Sequence, residues 1–148
     1  MKSDNIDVRS DCAPIKAGDS LQGKRKHAGT ILFCEDEPSI RDMIVSHLMT
    51  MGYQVFAAAS GEEALQLIQT QRVCPDLLVT DLRMPHIGGM LLAQRLQAVF
   101  PKMKIILMSG SPLEEYPEYQ ATDINLPFIA KPFSLSQLAA MIRMTLAD

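Results

Sequence analysis

Five short apolar runs recur along the chain, at Thr30–Cys34, Tyr53–Ala58, Asp76–Thr80, Lys104–Met108 and Leu126–Ala130. Each is bounded by turn residues, and each is the length of a strand rather than of a buried helix. After the first run, Ile40, Met43, Ile44, His47, Leu48 and Met51 recur at helical spacing. Strands that alternate with helices in this way dictate a parallel sheet with helices on both faces, joined by right-handed crossovers. The predicted class is therefore α/β, with five βα units. The third run leads straight into Asp81, then Pro85 and the pair Gly88-Gly89. Asp81 then sits where the chain leaves the sheet, and open α/β sheets bind ligands outside such strand ends. By itself this stretch leaves two readings open, an exposed functional carboxylate and a turn cap.

Local signals place the helices. Pro38 suits a first helical turn, where its missing N–H costs nothing. Gly52 stops that helix. Ser60 and Glu63 form a capping box for a second helix to about Arg72, with Ala64, Leu65 and Ile68 as its apolar stripe. A third helix is predicted from about Gly89 to Phe100, with Leu91, Leu92, Leu96 and Phe100 on or near its buried side and Pro101 after it. Residues 113 to 123 should form the fourth helix, but Pro117 lies in its middle, where proline costs roughly 3 kcal/mol. That element is expected to be short or irregular. Ser134 caps a last helix, whose apolar positions include Leu138, Met141, Ile142 and Leu146.

Composition narrows the class. The chain has 148 residues, 47% of them hydrophobic, enough for one domain with a real core. No apolar run approaches a membrane span, and no secretory signal opens the chain, so the expected location is the cytoplasm. Cys12, Cys34 and Cys74 show no paired spacing and are expected to be reduced, with Cys34 as core filler. Residues 1–28 have no hydrophobic period and read as a flexible tail before a domain at 29–148. The tail is mildly basic through residues such as Lys24, Arg25 and Lys26. The remainder is acidic within a net charge of −3, which argues against a nucleic-acid surface.

Polar residues terminate four of the five strands. Glu35 and Asp36 follow the first, Asp81 the third, Ser109 the fourth and Lys131 the fifth. In a parallel sheet these ends share one edge, so three carboxylates, a hydroxyl and an ammonium converge. Crowded carboxylates repel, and a proton or a cation must relieve them. Carboxylates and carbonyls are hard ligands that suit Mg²⁺, whereas zinc would want His or Cys. His86 lies near in sequence but reads as a surface loop residue. A metal, a lysine and a hydroxyl around one exposed carboxylate are the parts needed to place a phosphoryl group for in-line attack.

The set Glu35-Asp36, Asp81 with Met84-Pro85 and Gly88-Gly89, Ser109-Gly110 and Lys131-Pro132-Phe133 resembles the receiver domain of two-component response regulators, in the single-domain form typified by chemotaxis regulators. The resemblance spans about Thr30 to Leu146. It implies a flavodoxin-like (βα)5 doubly wound sheet with strand order 2-1-3-4-5. It implies that Asp81 accepts a phosphoryl group from a sensor histidine kinase or a histidine phosphotransfer protein. Glu35 (through water), Asp36, Asp81 and the backbone carbonyl of Arg83 are then the Mg²⁺ site, and Lys131 and Ser109 hold the phosphoryl oxygens. Ser109 and Phe128 occupy the positions of the family's switch pair, which would reshape the surface of the fourth helix, fifth strand and last helix for a downstream target protein or a phosphorylation-dependent homodimer. Such a protein is a signalling phosphoacceptor rather than an enzyme, promoting only its own phosphorylation and dephosphorylation.

Several positions depart from the family's commonest pattern. The first acid is Glu35, the switch hydroxyl is a serine and the ring is a phenylalanine. Thr122-Asp123-Ile124-Asn125 replaces the usual turn before the fifth strand. Arg83 and Ser111 fall where the family tunes phosphoryl lifetime. The loop after Ser109 and the Pro-Phe pair after Lys131 resemble receivers of hybrid kinases, which favours a relay role. A non-phosphorylated receiver-like binding module is the alternative. A small α/β phosphatase with a strand-end aspartate would need a second Asp where Arg83 stands. A flavin carrier would not place Glu35-Asp36-Glu37 in its phosphate loop.

Overall fold

A computed structural model describes residues 28–112, 115–116 and 126–147. The five strands are β1 (Thr30–Cys34), β2 (Gln54–Ala58), β3 (Leu77–Asp81), β4 (Lys104–Ser109) and β5 (Phe128–Ala130). The helices are α1 (Pro38–Thr50), α2 (Gly61–Gln71), α3 (Gly89–Val99) and α4 (Leu135–Ala147). The expected fourth helix over 113–123 and the tail over 1–27 lie outside the described residues. All strand pairs are parallel, in the order β2-β1-β3-β4-β5. This is the order that the resemblance implied.

Alternation of side chains along each strand divides the core into two layers. Ile31, Phe33, Leu77, Val79, Ile106 and Met108 pack on one face with Ile44 and Leu48 of α1 and Leu138 and Ile142 of α4. Leu32, Cys34, Leu78, Ile105 and Leu107 pack on the other with Ala64 and Ile68 of α2 and Leu92 and Leu96 of α3. β1 and β3 are buried throughout, as their unbroken apolar runs require.

Most element ends follow the local signals. α1 ends in a Schellman motif. Gly52 takes φ +97°, its N–H bonds the Met49 carbonyl at 3.0 Å, and the Tyr53 N–H bonds the Leu48 carbonyl at 3.3 Å. Ser60 caps α2 by accepting the Glu63 N–H at 3.1 Å, but Glu63 reaches back to the Ala59 N–H, one residue before the cap. Ser134 and Gln137 form a reciprocal box at α4, with bonds of 2.9 and 3.0 Å.

Other expectations fail in detail. β3 includes Asp81 itself. β5 begins only at Phe128, because Pro127 has no N–H to give the ladder and contributes only its carbonyl, to the Leu107 N–H. Leu91 and Met43 face outward, at 42% and 54% exposure. The buried stripe of α3 runs instead through Met90, Leu92, Ala93 and Leu96. Cys34 is a free buried thiol, as expected of core filler, whereas Cys74 is half-exposed and Cys12 lies outside the described residues.

Candidate functional site

The site lies along the C-terminal edge of the sheet, and its spacing comes from strand register. β1 and β3 are neighbours, as are β3 and β4, so Glu35, Asp36 and Asp81 leave adjacent strands at one level. One oxygen from each of these three carboxylates falls within a span of 4.8 Å. Glu35 and Asp81 are nearly buried, whereas Asp36 is exposed. His86 is exposed in a left-handed conformation, φ 65°, and is not among the acids gathered there.

Lys131 bridges two of the acids. Its Nζ donates to Glu35 Oε1 and to Asp81 Oδ2, each at 2.6 Å. Burial raises the Glu35 carboxyl above its ordinary range, against the bonds from Lys131 and the Glu37 N–H, and the Asp81 charge adds to the rise. Burial alone would lower the Lys131 ammonium, but its bonds to Asp81 and Glu35 outweigh that and hold it above its ordinary value. Lys131 is therefore a fixed cation between two carboxylates. The Lys131–Pro132 peptide bond is cis.

Backbone groups fix the remaining oxygens. Glu35 Oε2 accepts the Glu37 N–H and Asp81 Oδ1 accepts the Arg83 N–H, both at 3.1 Å. Arg41, one turn into α1, donates from Nη1 to the Glu35 carbonyl at 2.9 Å. Sequence reasoning missed Arg41, because nothing in a helical period tells which exposed cation folds back on a loop. The glycine pair has a steric cause. A Cβ on Gly89 would stand 2.1 Å from the Asp81 carbonyl oxygen, so only glycine lets α3 start this close to β3.

Ser109 is buried at the end of β4, and its carbonyl accepts the Lys131 N–H at 2.8 Å. Its hydroxyl points elsewhere. Oγ accepts the Ser111 N–H at 3.0 Å, and it bonds the Ser111 carbonyl at 3.0 Å and the Tyr116 hydroxyl at 2.8 Å. Tyr116 was not singled out from sequence; the only available signal was a tyrosine near a strand end, since a buried phenol needs a partner. The Arg83 guanidinium lies 5.8 Å from the centre of the Tyr116 ring and 3.8 Å from Glu115. Phe128 is half-buried on β5, paired in register with Leu107, and packs against the α2–α3 layer. A cavity of about 1040 Å³ lies between β5 and α4, lined by Phe128, Phe133, Met141 and Met144 among others.

Comparison with known proteins agrees with this geometry. The family model for the response regulator receiver domain matches residues 31–143. A sensor kinase, CckA of Brucella abortus, is 34% identical over 138 residues, covering 91% of this chain and 15% of the kinase. The chain thus spans a small part of that relative, and about half of a probable transcriptional regulator of Porphyridium aerugineum. Among solved structures, the receiver domain of the hybrid histidine kinase CckA superposes with a TM-score of 0.67 at 31% identity, covering 80% of this chain and 99% of that one. The response regulator TrrA of Thermotoga maritima, solved with Mg²⁺ and BeF, gives 0.66 at 28% identity, covering 79% and 98%.

Proposed function

The chain belongs to the response regulator receiver domain family, and from that premise we propose that Asp81 is its phosphoacceptor. The donor is the phosphohistidine of a sensor histidine kinase or of a histidine phosphotransfer protein. An Asp81 carboxylate oxygen forms the new bond to phosphorus as the phosphorus–nitrogen bond breaks, and that bond's electron pair leaves on the imidazole nitrogen. The observation that carries this reading is the Lys131 ammonium, bonded at 2.6 Å to Asp81 and placed to meet a phosphoryl oxygen.

The three gathered carboxylates are a hard, oxygen-only donor set, which fits Mg²⁺. Glu35 (through water), Asp36, Asp81 and the Arg83 carbonyl would hold the ion. When bound, it neutralises negative charge on the transferring group. Lys131 orients Asp81 and balances its charge, and Ser109 holds a second phosphoryl oxygen. The domain promotes only its own phosphorylation and dephosphorylation.

Phosphorylation is read out through Ser109, Phe128 and the face around β5 and α4, where a downstream target or a second copy of the chain would bind. A relay role is supported by the likeness to the receiver of a hybrid histidine kinase. The setting is the cytoplasm, and no described helix is long and apolar enough to cross a membrane.

Incubation with acetyl phosphate and Mg²⁺, followed by intact mass, tests the acceptor. Wild type should gain one phosphoryl group only when Mg²⁺ is present, and Asp81→Asn should gain none. A wild type that stays unmodified with both acetyl phosphate and a phosphorylated histidine donor would leave only the binding-module alternative.

A further inference from the structure

Ser109 holds the one hydroxyl among the strand-end residues of the site, and the structure shows it fully engaged. A hydroxyl has one proton to give and two lone pairs. Ser109 Oγ accepts from the Ser111 N–H, so its remaining capacity goes to the Ser111 carbonyl and the Tyr116 hydroxyl. Donating to the carbonyl and accepting from the phenol closes the set. Nothing is left to give to a phosphoryl oxygen. Both Ser109 and Tyr116 are buried, at 1% and 6% exposure, so water does not readily replace either partner.

We propose that Tyr116 is a positioning residue of the phosphoryl site, holding the Ser109 hydroxyl away from Asp81 until a phosphoryl group draws it across. The proposal rests on Asp81 as the acceptor. To donate to a phosphoryl oxygen, Ser109 must give up the proton it now donates to the Ser111 carbonyl, and in swinging toward Asp81 its Oγ leaves the Tyr116 hydroxyl behind. A buried phenol stripped of its partner is destabilised, so Tyr116 must leave its place. It lies beneath Arg83, which also pairs with Glu115. Release of Tyr116 therefore changes an exposed charged cluster at the rim of the site, on the segment that follows β4. Phe128 has no hydroxyl with which to make this bond, so the phenol that senses Ser109 comes from the loop rather than from β5.

The test measures binding of the phosphoryl mimic beryllofluoride with Mg²⁺ to the full chain, in wild type, Tyr116→Phe, Ser109→Ala and the double variant. Loss of the phenol should tighten binding about three- to ten-fold, the scale of one net hydrogen bond. In the Ser109→Ala background the same change should have no effect, which a merely structural role for Tyr116 would not produce. Equal binding by wild type and Tyr116→Phe, or an equal gain in both backgrounds, overturns the latch. Should Tyr116→Phe fail to fold, the wild type alone decides. Beryllofluoride should then shift tyrosine absorption to the blue as Tyr116 meets water, and bound protein with no shift overturns the proposal. A wild type that neither binds beryllofluoride nor accepts a phosphoryl group is a different result. It overturns the Asp81 reading, and the latch with it.

Discussion

Lys131 shows how a single residue sets the electrostatics of the site. It is the cation that lets Glu35 and Asp81 stay close, and its side chain is only 22% exposed. Replacing it with alanine leaves two crowded carboxylates without their counter-ion. Lys131→Ala should lose roughly 1–3 kcal/mol of stability in urea unfolding, less than a fully buried pair because water reaches the ammonium. Added Mg²⁺ should restore more stability to this variant than it adds to wild type. Cys34 makes a separate residue-scale case. Burial pushes its thiol up from 9.0 to about 12, against a hydrogen bond from Thr80. The unfolded thiol ionises first, so the unfolded state holds fewer protons between these two values, and stability falls as pH rises. The contribution is whole below pH 9 and is lost through about 12, at roughly 1.4 kcal/mol per pH unit. Cys34→Ala should flatten that alkaline slope in urea titrations, and thiol reagents should reach Cys34 only in unfolded protein.

At the scale of elements, the decisive contact is between the start of α3 and the end of β3. The two glycines there differ in what they tolerate. A Cβ on Gly89 would run into the Asp81 carbonyl, whereas one on Gly88 would approach the Leu82 carbonyl at 3.3 Å, tight but short of a clash. Gly89→Ala must push α3 away from the backbone that carries Asp81. It should cost about 2–4 kcal/mol and slow phosphoryl uptake from acetyl phosphate, while Gly88→Ala should cost under about 1 kcal/mol. Urea unfolding and intact-mass time courses on the two variants check both statements.

The whole molecule is a sheet covered on both faces, with its acids gathered along one edge. Mutual repulsion among those acids opposes folding, so a cation that binds only the folded arrangement stabilises it by mass action. Mg²⁺ at a hundred-fold excess over its Kd should add about 2.7 kcal/mol to the unfolding free energy, and a chelator should remove it. Asp36→Asn should abolish most of that gain while leaving stability without metal little changed, because Asp36 is exposed.

What the sequence by itself determined is whatever depends on near neighbours along the chain. Apolar runs bounded by turn residues specified the strands, and a 3.6-residue period with Gly52, Ser60 and Ser134 at the ends specified helices. Parallel alternation then placed Glu35, Asp36, Asp81, Ser109 and Lys131 on one edge, because the ends of parallel strands cannot do otherwise. The resemblance supplied the strand order. Contacts between distant side chains were decided only by the tertiary structure. Lys131 meets Asp81 across 50 positions and Glu35 across 96, and no local pattern records a bond of that span. The same holds for Arg41 against the Glu35 carbonyl, for the outward turn of Leu91 and Met43, and for the 2.1 Å that reserves position 89 for glycine. The direction of the Ser109 hydroxyl is the sharpest instance. The sequence marks the residue, but the choice between Asp81 and Tyr116 depends on which buried partner is within 3 Å, and packing alone decides that.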